Sequence, residues 1–338
     1  MHYLVTGHTG FKGTWLALML HARGHQVSGI ALDPVDGALY TDAGVHEVMT
    51  HDLRIDVCDA PALTRAVDEL APDAVVHLAA QALVRESYLD PMGTFRTNVN
   101  GTLNLLDATR AAGSVRAQLI ITTDKVYRND SRTRGYVETD PLGGRDPYSA
   151  SKAMADLATQ SWAASFDCPP TAIARAGNVV GGGDACRDRL LVDLQRGFAG
   201  GVAVPVRFPD AVRPWQHVLD CLNAYLVLVD ALLEGSGQGE WNVAPESQDL
   251  VTVGRVADSA ASMWGDGAAW IHVPGDHPHE AELLALDASK LRRELGWRER
   301  LPFAEGLSWT VDWALGRREG HSARSLCEEQ IERFERLE

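Results

Sequence analysis

The chain is poor in positive charge and in cysteine, and it has no long apolar run. It carries 31 Lys and Arg against 46 Asp and Glu, a net charge of −15. Such an acidic surface repels a phosphate backbone, so nucleic-acid binding is not expected. The most apolar stretch, residues 224–233, is too short to cross a bilayer and contains Asp230, so no membrane contact is expected.

The few cysteines also exclude two classes of protein. There are five of them: Cys58, Cys168, Cys186, Cys221 and Cys327. An odd number without metal-ligand spacing argues against a disulfide framework and against a metal site. A strand-like run already begins at His2, so no signal peptide is expected. We therefore predict a cytoplasmic protein with structural thiols.

The pattern of the first half predicts an α/β fold. Apolar runs suited to buried strands alternate with amphipathic segments of helix length, which is typical of a Rossmann-type, doubly wound parallel sheet. The predicted strands are residues 2–6, 26–32, 73–78, 118–122 and 171–176. The predicted helices are residues 13–22, 60–70, 94–112, 148–165, 220–233 and 323–337.

A glycine-rich loop lies between the first predicted strand and helix. It reads Gly7-His8-Thr9-Gly10-Phe11-Lys12-Gly13. The first glycine permits a tight turn, the second lets the backbone approach a pyrophosphate, and the third lets the helix pack on the strand. The free N–H groups of the helix then face the anion, so the loop predicts a dinucleotide site.

Two further positions point to the adenosine half of that dinucleotide: the end of the predicted strand 26–32, and residues 56–57, which would end the strand that follows it. Asp33 lies about 20 residues beyond the glycine loop, where an acid binds the ribose hydroxyls; the alternative is that it only starts the turn before Pro34. Asp56 and Val57 either meet the adenine or merely end a strand. No Lys or Arg between residues 31 and 40 is available for a 2′-phosphate, so NAD is favoured over NADP.

Two polar groups of residues predict proton transfer. Tyr148 and Lys152 are four apart, hence on one face of a helix, where a neighbouring ammonium and a cationic nicotinamide would favour the phenolate and make Tyr148 a base. Thr123, Asp124 and Lys125 follow a strand at the carboxyl edge of the sheet, where α/β folds bind ligands. The alternative for these three is a polar loop that caps the strand.

With these motifs in place, the chain resembles the extended short-chain dehydrogenase/reductases that act on nucleotide sugars, and among them the CDP-glucose 4,6-dehydratases. The likeness runs nearly from end to end. The residues that carry it are 7–16, 77–81, 83–85, 97–102, 123–125, 140–144, 148–152, 175–184 and 213–218. Its most specific parts are the glycine loop, the pair Asp124-Lys125 and residues 213–217.

The resemblance implies a dehydration in which NAD is regenerated in each turnover. Tyr148 would take the proton from the hydroxyl at sugar carbon 4, Thr123 would hydrogen-bond that hydroxyl, and Lys152 would hold the nicotinamide ribose. A hydride would pass to NAD and return to carbon 6 after loss of water. Asp124 would protonate the departing hydroxyl, and Lys125 would be either the base or an electrostatic stabiliser.

The resemblance also implies binding residues and a division of labour. NAD would contact Gly7, Thr9, Gly10, Phe11, Lys12, Gly13, Asp33, Asp56, Val57, Leu78, Ala79, Ala80, Asn98, Tyr148 and Lys152. The nucleotide sugar would contact Gln81, Arg85, Asn178, Arg189, Arg213 and His217. Residues 1–183 would form the NAD-binding domain, joined by 206–240. Residues 184–205 and 241–338 would form a smaller, mostly C-terminal substrate lid.

Assembly and reaction type remain expectations. The helices predicted over 94–112 and 148–165 are apolar on more than one face, and the resemblance implies that they form a four-helix homodimer interface. The alternatives for the function are a 4,6-dehydratase of another nucleoside-diphosphate hexose, an epimerase, or a non-catalytic protein that binds NAD or a nucleotide sugar.

Overall fold

The computed structural model describes residues 1–130, 134–186, 189–246, 250–275 and 285–337. The strands are β1 (His2–Thr6), β2 (Gln26–Ala31), β3 (His51–Arg54), β4 (Ala74–His77), β5 (Ala117–Thr123), β6 (Thr171–Ala176), β7 (Asn178–Val180), β8 (Val204–Val206), β9 (Val212–His217), β10 (Gly239–Val243), β11 (Leu250–Thr252) and β12 (Trp270–His272).

The helices are α1 (Phe11–Ala22), α2 (Leu39–Asp42), α3 (Ala60–Leu70), α4 (Val84–Leu89), α5 (Pro91–Phe95), α6 (Gly101–Ala112), α7 (Pro147–Ser165), α8 (Leu190–Ala199), α9 (Val218–Leu233), α10 (Val253–Trp264), α11 (Ser289–Leu295), α12 (Phe303–Arg318) and α13 (Ala323–Glu335). Short 3₁₀ turns cover Val45–Val48 and Asp124–Val126, and a π-helical turn covers Arg96–Asn100.

Seven parallel strands form the central sheet, in the order β10-β6-β5-β4-β1-β2-β3. The strand order reverses between β1 and β4, and in such a sheet ligands bind in the crevice at the carboxyl ends of the strands. The predicted Rossmann-type fold is therefore confirmed. The end of β1, the loop after β4 and the end of β5 all reach this edge.

Helices cover both faces of the sheet because successive strand residues point to opposite sides. Val5, Val76 and Ile121 pack on one side in a core shared with α1 and α9. Leu4 and Val75 point to the other side, where they pack with residues of α3 and α6. These two apolar layers hold the strands in position, and they thereby position every strand end that faces the crevice.

Two small sheets lie outside the central one. Strands β11, β9 and β7 form a three-stranded sheet, in which β7 and β9 are parallel, and β12 pairs with β8. A second apolar cluster, which includes Trp215, Val256 and Leu307, binds this region together. Within the described ranges, no helix combines the length and apolar character that crossing a bilayer requires.

Two predicted boundaries differ from the structure. The helix predicted over 94–112 begins earlier, at Pro91 after its cap Asp90, and the π turn over Arg96–Asn100 interrupts it before Gly101. The division predicted at residue 240 falls inside β10, which completes the central sheet through Val243. Within residues 206–240, α9 packs on the central sheet, whereas β9 pairs with β7 and β11.

Candidate active site

The glycine loop connects β1 to α1 at the crevice. Gly7 has a left-handed backbone, with φ of 74°, and a Cβ there would lie 2.7 Å from the backbone nitrogen of Ala79. A Cβ on Gly13 would lie 2.3 Å from the Gly7 carbonyl oxygen. Gly10 caps α1 without any side-chain hydrogen bond, so the first N–H groups of the helix remain available to an anion. This cradle fits the pyrophosphate of NAD.

The rest of the loop is tied to its surroundings. Thr9 donates a 3.1 Å hydrogen bond to the carbonyl of Leu32. Phe11 packs against the main core. The Nζ of Lys12 lies 3.2 Å from the hydroxyl of Tyr225 on α9. Burial lowers the pKa of this lysine.

An ion-pair cluster lies at the adenosine end of the crevice. Asp33 follows β2, and its side chain is 89% exposed. Arg54, the last residue of β3, lies 3.3 Å from Asp33 and also grips Asp52 with two hydrogen bonds of 2.5 and 3.0 Å. Asp52 accepts further bonds from His8 and Tyr40. Sequence spacing alone did not find Arg54 because it comes from a different strand.

Asp56 and Val57 lie just beyond β3, which ends two residues earlier than predicted, at Arg54. The Asp56 side chain accepts a hydrogen bond from the backbone of Cys58. Val57 is buried, and its carbonyl accepts a hydrogen bond from Asn104. Val57 therefore belongs to the packing between β3 and α6, beside the adenosine end of the crevice.

Helix α7 places Tyr148 and Lys152 on one side of the site. Asp146 caps the helix by accepting hydrogen bonds from the backbone and hydroxyl of Ser149, and Pro147 fixes the first turn. Tyr148 therefore lies in the first turn. Lys152, one turn later, is buried and donates a 2.7 Å hydrogen bond to the carbonyl of Ile121 in β5.

Burial dominates the electrostatics of this pair. Burial raises the pKa of Tyr148 to about 12, although a hydrogen bond with Thr123 opposes the shift. Burial, with repulsion from Lys12, lowers the pKa of Lys152 to about 7. The chain by itself therefore holds Tyr148 as a neutral phenol and weakens the charge of Lys152. Ionisation of Tyr148 needs positive charge that a ligand brings to the site.

Thr123 and Asp124 meet Tyr148 from the end of β5. The hydroxyl of Thr123 donates a 2.9 Å hydrogen bond to Oδ1 of Asp124. Asp124 is only 2% exposed, and its Oδ2 has no hydrogen-bond partner in the described part of the chain. Burial raises the pKa of Asp124, although Lys125 and Arg213 oppose the shift. The protonated form of this carboxyl is thus more favoured than that of an aspartate in water.

A web of amide hydrogen bonds fastens the loop after β4 to α7. Asn98, in the π turn, accepts from the backbone N–H of Gln81 and donates to its carbonyl and to Ser151. The Gln81 side chain is itself bound to Leu83 and Thr94. The loop residues Leu78, Ala79 and Ala80 thereby face the glycine loop. Asn98 thus connects two walls of the site through three hydrogen bonds.

The predicted substrate-binding residues divide into groups. Arg189 forms a 3.4 Å ion pair with Asp184, and it interacts electrostatically with Tyr148. Arg213 acts on the pKa of Asp124 in the same way. Asn178 opens β7, which pairs with the strand that holds Arg213. These residues converge on the catalytic group.

Of the other two predicted substrate-binding residues, His217 lies in the core and Arg85 lies on the surface of helix α4. His217 is 2% exposed, its ring packs between Trp15 and Trp309, and its Nδ1 accepts the backbone N–H of Leu219 as the cap of α9. These contacts are those of a core residue. Arg85 is exposed on α4.

Sequence reasoning missed a buried polar network behind the site. Arg175 on β6 binds both carboxylate oxygens of Asp156 on α7, at 2.8 and 2.7 Å. It also donates to the hydroxyl of Tyr127, which in turn donates to Asn242 on β10. Thr122, beside Thr123, donates to Asp156 as well. The network locks α7 to the end of β5, and thus Tyr148 to Thr123.

Comparisons with known proteins agree with this arrangement. A sequence profile of the GDP-mannose 4,6-dehydratase family matches residues 4–310. The CDP-glucose 4,6-dehydratase of Salmonella typhimurium is 42% identical over 320 residues, which cover 91% of this chain and 89% of that protein.

Solved structures show the same fold. A dTDP-glucose 4,6-dehydratase of Streptomyces venezuelae with NAD bound has a TM-score of 0.80 and 25% identity, and the match covers 95% of this chain and 98% of that one. The UDP-glucose 4-epimerase of Thermus thermophilus in complex with NAD has a TM-score of 0.81 and 27% identity, with coverage of 94% and 99%. Since the two scores are nearly equal, the fold does not separate elimination from epimerisation, and the residues of the site must.

Proposed function

Because the chain belongs to the GDP-mannose 4,6-dehydratase family, we propose that it is an NAD-dependent hydro-lyase that dehydrates CDP-D-glucose to CDP-4-dehydro-6-deoxy-D-glucose. The 42% identity to a CDP-glucose 4,6-dehydratase over nine-tenths of the chain supports this substrate over other nucleotide sugars. The reaction has three stages: oxidation at carbon 4, loss of water across carbons 5 and 6, and reduction at carbon 6.

The observation that carries the proposal is the environment of Asp124. Elimination of a hydroxyl needs an acid, and burial of Asp124 raises the pKa of its carboxyl and so favours the protonated form. Its free Oδ2 is the oxygen that can turn toward a substrate hydroxyl. A simple epimerisation expels no hydroxyl and has no use for such an acid.

The remaining catalytic roles follow from position. NAD, when bound, would supply the hydride acceptor for the oxidation at carbon 4 and the hydride donor for the reduction at carbon 6. Tyr148 removes the proton from the carbon 4 hydroxyl, and Thr123 orients that hydroxyl. Lys152, fixed by its bond to Ile121, holds the nicotinamide ribose. Burial raises the pKa of Tyr148 to about 12, and the positive charge that bound NAD would bring to the site would favour the phenolate and make Tyr148 a base.

Lys125 completes the set, on the 3₁₀ turn next to Asp124. It either takes the proton from carbon 5 or remains charged and stabilises the enolate electrostatically. The residues predicted above to hold NAD and the nucleotide sugar are proposed in those roles. The exception is His217, whose core contacts leave it to cap α9. Asn98 is proposed to hold the site together through Gln81 and Ser151.

We also propose a cytoplasmic homodimer. The five cysteines are all free, in keeping with a reducing compartment. Helix α7 exposes Met154 and Leu157, which are 48% and 52% accessible, as an intersubunit helix seam requires. Replacement Leu157→Glu should therefore yield a monomer in light scattering, whereas a variant that stays dimeric would place the interface elsewhere.

Mass spectrometry of products from CDP-, dTDP-, UDP- and GDP-hexoses tests the function. The proposal predicts loss of one water from CDP-glucose without added reductant. Dehydration of a different nucleotide glucose would correct the substrate and leave the chemistry intact. A product of unchanged mass would show an epimerase, and NAD binding without any turnover would show a non-catalytic protein.

A further inference from the structure

The ion-pair cluster at the adenosine end of the crevice contains a cation, Arg54. Spacing along the chain from β2 does not reveal it, because Arg54 belongs to β3. Arg54 is the last residue of β3. It lies beside Asp33, which follows the neighbouring strand β2. Its side chain is 31% exposed, and its Nε lies 3.3 Å from Asp33 at the end of β2. A planar guanidinium at this edge is a natural receptor for phosphate.

Two carboxylates occupy that guanidinium. Asp52 takes two of its N–H groups, at 2.5 and 3.0 Å, and the Nε lies 3.3 Å from Asp33. Asp52 is held firmly in turn by the hydroxyl of Tyr40, at 2.5 Å. Although burial alone would raise it, hydrogen bonds from Arg54, Tyr40 and His8 lower the pKa of Asp52 to about 2. Asp52 thus stays charged, and the formal charges of Asp33, Asp52 and Arg54 sum to −1.

We infer that Arg54 is a latent receptor for the 2′-phosphate of NADP, which Asp33 keeps closed. Asp33 contributes twice, because it binds the Nε side of Arg54 and because its own charge repels a phosphate. Asp52 holds Arg54 in place whether or not Asp33 is present. Removal of the Asp33 carboxylate therefore leaves a positioned guanidinium at the ribose. This inference rests on the proposed use of NAD, and on no step of the sugar chemistry.

Binding measurements on the full chain test it. NAD and NADP are titrated by calorimetry into the unsubstituted protein, Asp33→Ser, and the double variant Asp33→Ser/Arg54→Met. Asp36→Ser is the matched control, since Asp36 is an exposed acid in the same loop. Adenosine 2′,5′-bisphosphate and 5′-AMP serve as fragment probes that lack the nicotinamide half.

The expected result is a reversal of preference. Asp33→Ser should bind NADP at least tenfold more tightly than the unsubstituted protein does, about the effect of one charge-assisted hydrogen bond, and should bind NAD more weakly. The double variant should lose the NADP gain. The bisphosphate should follow NADP, and Asp36→Ser should leave the ratio unchanged.

Two results would overturn the inference. One is that Asp33→Ser binds NADP no better than Asp36→Ser does. The other is that the gain in NADP affinity survives in the double variant, which would assign it to lost repulsion alone. Because Asp33 is a surface side chain, the variant is expected to fold, and a melting curve with each ligand checks this. If the unsubstituted protein binds NAD but dehydrates no sugar, the proposed function fails while this test stands.

Discussion

The hydroxyl of Thr123 lies 2.9 Å from Oδ1 of Asp124, while Oδ2 of the same carboxyl has no protein partner among the described residues. One side chain thus fixes the orientation of a buried acid and leaves its second oxygen for a substrate. The two residues are adjacent at the end of β5, so the rigid central sheet sets their position. This geometry makes elimination, rather than simple oxidation, the chemistry for which the site is built.

Replacement Asp124→Asn should remove the acid and keep the shape. The amide oxygen can still accept the Thr123 hydrogen bond, but it has no proton to give. We expect kcat for CDP-glucose to fall by about 10²–10⁴-fold, the usual contribution of general acid catalysis, with unchanged affinity for the nucleotide sugar. Steady-state kinetics and calorimetry measure the two quantities. The exposed Asp68→Asn serves as the control, and full activity in Asp124→Asn would exclude the acid role.

The ion pair of Arg175 and Asp156 is expected to dominate the stability of the site. Both side chains are at most 1% exposed, so Arg175→Met would leave the buried carboxylate of Asp156 without its cationic partner. The free energy of unfolding in urea should fall by about 3–5 kcal/mol. Arg110→Met, which breaks the exposed pair with Asp107, should cost about 1 kcal/mol or less. Equal losses in the two variants would contradict a structural role for the buried pair.

Stability should fall as the solution is acidified, in part because of His217. Burial lowers the pKa of His217 from its ordinary value of 6.5 to about 3. Between pH 6.5 and pH 3, this histidine binds a proton in the unfolded chain but not in the folded chain. Its contribution to the free energy of unfolding is therefore fully present above pH 6.5 and declines toward pH 3. From pH 7 to pH 5 this one group costs about 2 kcal/mol.

Melting temperatures across that range check the prediction. In His217→Asn, the amide still caps α9 but does not titrate, so the decline should be shallower. The exposed His46→Asn should keep the original slope. A His217→Asn slope equal to that of the unsubstituted protein would mean that the histidine is protonated in the fold.

The sheet and the glycine loop could be predicted from the sequence because both depend on local signals. Buried parallel strands read as apolar runs, and a tight turn at Gly7 demands glycine. The π turn over Arg96–Asn100 could not be predicted in this way, since its cause is the fit of Asn98 between Gln81 and Ser151, far apart along the chain. The domain boundary predicted at residue 240 falls inside β10 for a similar reason, because the strand with which β10 pairs, β6, precedes it by more than 60 residues.

In the site, residue types were predictable and environments were not. Tyr148, Lys152 and Thr123 follow recognisable local patterns, and three of the four lysines in the chain, Lys12, Lys125 and Lys152, lie in these motifs. The raised pKa of Tyr148 depends on burial, which spacing does not report. The position of Arg54 beside Asp33 depends on strand pairing.

Deuterium placed at carbon 4 of the CDP-glucose ring tests the central claim most directly. If a hydride leaves that carbon and returns within the same turnover, mass spectrometry and NMR should find the label in the new methyl group at carbon 6. Tyr148→Phe should give no labelled product, because oxidation at carbon 4 cannot begin. A dehydrated sugar whose methyl group carries no deuterium would contradict the account.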